Sequence, residues 1–66
     1  MNPTATFIGF QFGFRLYNVE GDHPLKHSSV SVKTLIDNHI PINDMSMNEI
    51  KIEVERMDAF IKGAHS

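Results

Sequence analysis

Asp22, His23 and His27 are the first residues of this 66-residue chain whose types and spacing offer chemistry. A carboxylate and two imidazoles in one short stretch are donors for a first-row metal ion. Histidines four apart share a face on a helix, but Pro24 between them opposes a helix there. A loop has to bring them together, with His39 or His65 as a further ligand. Structural zinc takes four ligands, and the chain has no cysteine. The preferred reading is therefore solvated loop histidines that titrate near neutrality. No metal site and no cofactor is assigned, and a metal-dependent activity at Asp22, His23 and His27 stays as an alternative.

Nucleophilic and acid–base groupings are weaker. Ser28 or Ser29 with a histidine and an aspartate makes a nominal triad, but no strained turn exposes a serine as a nucleophile elbow does. Gly9 and Gly13 lie inside a strand pattern, so they do not form a phosphate-cradling loop. Glu53 and Glu55 are expected to point to solvent. A water-excluding pocket needs more chain than this, and no catalytic residue is assigned.

The sharpest feature is aromatic. Ile8, Phe10, Phe12, Phe14 and Leu16 alternate with Gly9, Gln11, Gly13, Arg15 and Tyr17. Period two is the mark of a strand with one buried face. Gly9-Phe10-Gln11-Phe12-Gly13-Phe14 resembles the aromatic strand of RNA recognition motifs, which stacks bases on its rings. That resemblance implies single-stranded nucleic-acid binding, although the residue order departs from the signature and a second aromatic strand is missing. The simpler expectation is that Phe10, Phe12 and Phe14 form the core. Phe12→Ala would then cost ~3–5 kcal/mol.

The elements that must position these residues follow from local signals. The aromatic pattern predicts a strand over residues 6–19, with its glycines marking a bulge, a bend or a close backbone approach. Gly21 and Pro24 end it in a turn or loop. Residues 28–32 form a short second strand that pairs back as a hairpin. Ser31 is suited to cap a short helix over 32–39, with Asn38 as its left-handed terminator and Pro41 preventing continuation. Ser46-Met47-Asn48-Glu49 reads as a capping box ahead of Met47, Ile50, Val54, Met57, Phe60 and Ile61, one helical face. A strand over 50–55 also fits Ile50, Ile52 and Val54 but fails beyond them, so the helix, 47–62, is preferred. Asp58 and Lys62 are spaced for an i,i+4 pair, and Gly63 sits where a C-terminal cap belongs. The expected fold class is α+β: an aromatic strand or β-hairpin, a short helix and a longer C-terminal helix, in a single small domain.

Composition narrows the function classes. The formal net charge is −2, with residues 1–33 at +1 and residues 34–66 at −3, so no basic face for duplex binding is apparent. No apolar run approaches the ~20 residues that span a bilayer. Met1-Asn2-Pro3-Thr4 has no basic region ahead of an apolar one, so a signal peptide is not expected. A cytosolic protein is the default. A chain this short buries only about 60% of its unfolded surface and has no disulfide to staple it. Tyr17, Val19, Met45 and Ile52 lie off the main apolar faces and are the expected partner-binding residues. The functional expectation is a small protein-interaction module, regulatory or accessory, acting as a homo-oligomer or bound to a larger partner.

Overall fold

In the computed structural model, which describes residues 1–64, the element order is β1 (Thr4–Gln11), β2 (Phe14–Glu20), β3 (Ser29–Ser31), α1 (Val32–Asp37) and α2 (Met47–Ala64). The three strands form one antiparallel sheet in the order β1-β2-β3. The aromatic stretch is two strands and not one. The chain reverses at Phe12 and Gly13, whose φ values of 55° and 80° are both left-handed. Two consecutive left-handed residues make the tight turn whose twist matches that of the flanking strands.

That turn overturns the expected core. The closing pairs are Gln11 opposite Phe14 and Phe10 opposite Arg15. Paired residues share a sheet face, so an even-numbered residue of β1 shares its face with an odd-numbered residue of β2. Phe10 and Phe14 therefore lie on opposite faces, and Phe12 is at the tip. Phe14 is 6% exposed, whereas Phe10 and Phe12 are 66% and 78% exposed. A register shift between Phe7 and Gly9 then resets the parity. Phe7, opposite Tyr17, shares the face of Phe10 and Arg15.

The core is built from Tyr17, Val19, Val32, Leu35, Ile40 and Ile50, with Ala5, Leu25, Val30, Ile42, Met45 and Val54 packed against it. Ser31 caps α1 as expected, its hydroxyl accepting from the Thr34 amide at 3.3 Å. The end of that helix differs by one residue from expectation. Asn38 has φ −102° and His39 takes the left-handed position at φ 57°. The His39 amide donates to Ile36 O at 3.1 Å and the Ile40 amide to Leu35 O at 2.9 Å. These are the paired bonds of a Schellman ending, with Ile40 and Leu35 supplying its apolar contact. Asn38 instead returns its side-chain amide to Thr34 O. The capping box of α2 forms in both directions, with Ser46 N donating to Glu49 Oε1 at 2.9 Å and Glu49 N to Ser46 Oγ at 3.1 Å.

The buried face of α2 also departs from the apolar stripe. Ile50 and Glu53 are its buried residues, Val54 and Met57 are half-buried, and Met47 lies exposed. Glu53, expected in solvent, is 7% exposed, while Glu55 is exposed as expected. β3 pairs only with Leu16, Tyr17 and Asn18. One residue beyond that stretch, the Arg15 amide donates to Glu53 Oε2 at 2.9 Å. The carboxylate thus occupies the place of a missing strand. Asp58 pairs with Lys33 of α1 rather than with Lys62.

Candidate functional site

The hairpin displays the residues that the core leaves out. Along β1 and its turn, Phe7, Ile8, Phe10 and Phe12 are all exposed. The three phenylalanines are held by ring contacts rather than by burial. Phe7 and Phe10 meet edge-to-face with centroids 5.3 Å apart, and Phe7 meets Tyr17 at 5.7 Å. The Arg15 guanidinium lies 4.2 Å over the Phe7 ring. At the tip, Phe12 stacks on Phe60 of α2 at 6.1 Å, and Phe60 in turn meets Phe14 at 5.3 Å. Such pairs add ~0.5–1.5 kcal/mol beyond area burial. They stiffen an apolar surface that remains open to solvent.

Two charge clusters fasten this surface to the rest of the molecule. Arg15 Nε donates to Tyr17 Oη at 2.8 Å and Arg15 Nη2 to Asp44 Oδ2 at 2.7 Å, while Tyr17 Oη donates to Asp44 Oδ1 at 2.7 Å. Burial alone would raise the Asp44 carboxyl. Hydrogen bonds from Tyr17 and Arg15, with the arginine's charge, outweigh it and hold that carboxyl below its usual 3.8. Burial pushes the Tyr17 hydroxyl above 10. In the second cluster, Arg56 donates to Glu53 Oε1 at 2.9 Å and to Gly13 O at 3.3 Å, and lies 4.8 Å over the Phe14 ring. Arg15 and Arg56 therefore stand beside the aromatic rings already paired with carboxylates.

Between the hairpin and α2 lies a cavity of about 100 Å³, lined in part by Phe12, Phe14, Leu16, Met57 and Phe60. Its walls are mainly apolar, and it is small beside the ~300–1,000 Å³ of ordinary ligand pockets.

The residues singled out from sequence are dispersed. Tyr17 and Val19, expected at a partner interface, are 1% and 0% exposed and belong to this chain's own core. Met45 is partly buried against that core, and Ile52 is 57% exposed on α2. His23 is engaged locally, its Nδ1 accepting from the Leu25 amide at 3.0 Å. His27 Nδ1 lies 3.7 Å from Glu20 Oε2. Among the described residues no group of three or more metal-ligating side chains comes together; His65 lies outside them. Among the described residues no helix is long and apolar enough to cross a membrane.

Sequence reasoning missed Phe7 as a surface ring and Arg15, Asp44, Glu53 and Arg56 as the supports of the hairpin. The available signal was Gly13 in mid-pattern, since a two-residue turn places its glycine there. Comparison of the chain with protein-family models, with curated proteins and with solved structures returns no match.

Proposed function

We propose that the chain is a small protein-interaction module, a regulatory or accessory protein that docks through its aromatic hairpin onto a second copy or a larger partner, in the cytosol. The observation that carries this reading is Phe12. It stands at a left-handed turn position that favours asparagine or glycine, and it leaves 78% of its surface in water. A residue there gains little for folding from being aromatic. Phe7 and Phe10 add a second exposed apolar patch, on the sheet face opposite Phe14, and grouped exposed rings mark interaction sites where scattered hydrophobic residues do not. Held by Arg15 and Arg56, the hairpin is presented as a rigid object, which lowers the entropy lost on docking.

Base stacking on the same rings is the second reading. It ranks below the first because the arginines beside the rings are paired with Asp44 and Glu53. A single-strand binder sets free cations along its aromatic track to meet phosphates.

The test is capture from the cells that make the protein, comparing wild type with Phe10→Ser/Phe12→Ser. Both side chains are mainly exposed, so the variant should stay folded, with melting lowered only by the loss of their ring contacts to Phe7 and Phe60. Partners retained by wild type and lost by the variant are the expected result. Equal retention by both would remove the hairpin from the interaction. Binding of oligonucleotides that the variant loses would favour base stacking instead.

A further inference from the structure

The outer side of β1 is where main-chain bonding is unfinished. The amide of Val19 donates to Ser28 O at 3.1 Å, and its carbonyl accepts from the His27 amide at 2.7 Å. The Arg15 amide points to Glu53. Both residues spend their backbone groups on the side away from β1. Backbone direction alternates along a strand, so Tyr17, midway between them, does the same. The partners of these three residues in β1 are Phe10, Phe7 and Ala5. Their amides and carbonyls accordingly point away from β2, toward a side on which the sheet has no further strand among the described residues.

Sheet edges are ordinarily protected by charged side chains, prolines or bulges. Thr4–Gln11 contains no charged residue and no proline, and its one irregularity falls at Ile8. An uncharged strand can lie against its own copy with no like charges opposed. A partner recognised by charge finds little to grip here, because Arg15 and Arg56 are already paired.

We propose that β1 pairs antiparallel with β1 of a second copy about a two-fold axis at Thr6, joining two three-stranded sheets into one continuous sheet. The proposal rests on the docking reading above and names its occupant. The register follows from backbone direction. Ala5 and Phe7 of one copy meet Phe7 and Ala5 of the other as hydrogen-bonded pairs, and Thr6 faces its own counterpart as the non-hydrogen-bonded pair. The bulge at Ile8 ends the regular ladder. Each copy presents the same patch to the other, which is the self-complementarity a two-fold interface needs. At about 200 Å² for a fully exposed phenylalanine, the exposed fractions of 38% for Phe7 and 66% for Phe10 leave roughly 200 Å² of ring surface beside the seam. Ile8 and the strand edge add to it. The total stays below the ~800 Å² per partner of a standard interface, so the dimer is weak and reversible.

The chain has no cysteine, which makes a single introduced one diagnostic. Non-hydrogen-bonded partners have Cα atoms ~4.5 Å apart, within the ~4.4–6.8 Å that a disulfide bridges. Under mild oxidation Thr6→Cys should cross-link to a covalent dimer at least about tenfold faster than Asp37→Cys, an exposed control on α1. Ala5→Pro removes an outward amide that the hairpin does not use. Thr6→Lys sets like charges opposite each other at the axis and leaves every backbone group in place. Either change should abolish the dimer seen by sedimentation of the otherwise unaltered chain, with the circular dichroism spectrum unchanged. A 7.5 kDa species at every concentration up to about 1 mM, with Thr6→Cys cross-linking no faster than Asp37→Cys, would overturn the proposal. If Phe10→Ser/Phe12→Ser still lost its captured partner in that case, the docking reading would stand with a different occupant. If capture were also unaffected, both readings would fall together.

Discussion

Replacing Phe12 with asparagine should remove the most exposed ring of the hairpin without weakening the fold. Phe12 and Gly13 are the two left-handed residues of the turn, and Asn-Gly is the pair that such turns favour. A left-handed conformation costs most L-residues roughly 1–2 kcal/mol, which asparagine largely avoids. Against this stands the lost ring. Complete burial of phenylalanine contributes ~1.5–3 kcal/mol, and Phe12 is 78% exposed, so about a fifth of that is lost. The stack on Phe60 at 6.1 Å adds ~0.5 kcal/mol at the low end of its class. Phe12→Asn should thus lie between neutral and about 1 kcal/mol more stable, a rise in Tm of up to roughly 8 °C for a chain this size. Phe14→Ala is the counterpart. Its ring is buried against Phe60 and Arg56, and the loss should be ~3–5 kcal/mol out of a total of roughly 3–10 kcal/mol. Urea and thermal unfolding at low micromolar concentration keep association out of the measurement. A Phe12→Asn variant destabilised by more than about 1.5 kcal/mol, or a Phe14→Ala variant barely affected, would refute this division of the rings.

Other perturbations address the supports of the hairpin. Asp44 titrates below its unfolded value of 3.8 in the folded chain, so its contribution is complete above that pH and is lost as pH falls through the folded value. Acid titration should show Asp44→Asn to be less sensitive than wild type below about pH 4. Tyr17 titrates above 10, so its contribution holds below pH 10 and declines as pH rises through the raised value; a spectrophotometric titration should show late ionisation. Glu53→Leu strands the Arg15 amide and leaves Arg56 unpaired, and urea unfolding should register a loss of ~1–3 kcal/mol. Ser46→Ala breaks the capping box at α2 and should cost ~1 kcal/mol, with amide exchange quickening in the first turn.

Local signals in the sequence determined the helices and their starts. Ser31 and Ser46 cap because a hydroxyl beside the first free amides needs no distant partner. The α+β order and both helices were legible for the same reason. The division of residues 6–19 into β1 and β2 was partly legible, since strands commonly run ~5–6 residues and Gly13 lies at the midpoint. What only the tertiary structure decided was facing. Phe10 and Phe14 have the same parity in the sequence, yet a two-residue turn sets them on opposite sides of the sheet, and the Ile8 bulge brings Phe7 back beside Phe10. Glu53 is buried because β3 stops short of Arg15, and Asp58 finds Lys33 because α1 packs beside α2. Register, strand length and helix juxtaposition are properties of pairings between distant segments. A periodicity counted along one segment carries no information about them.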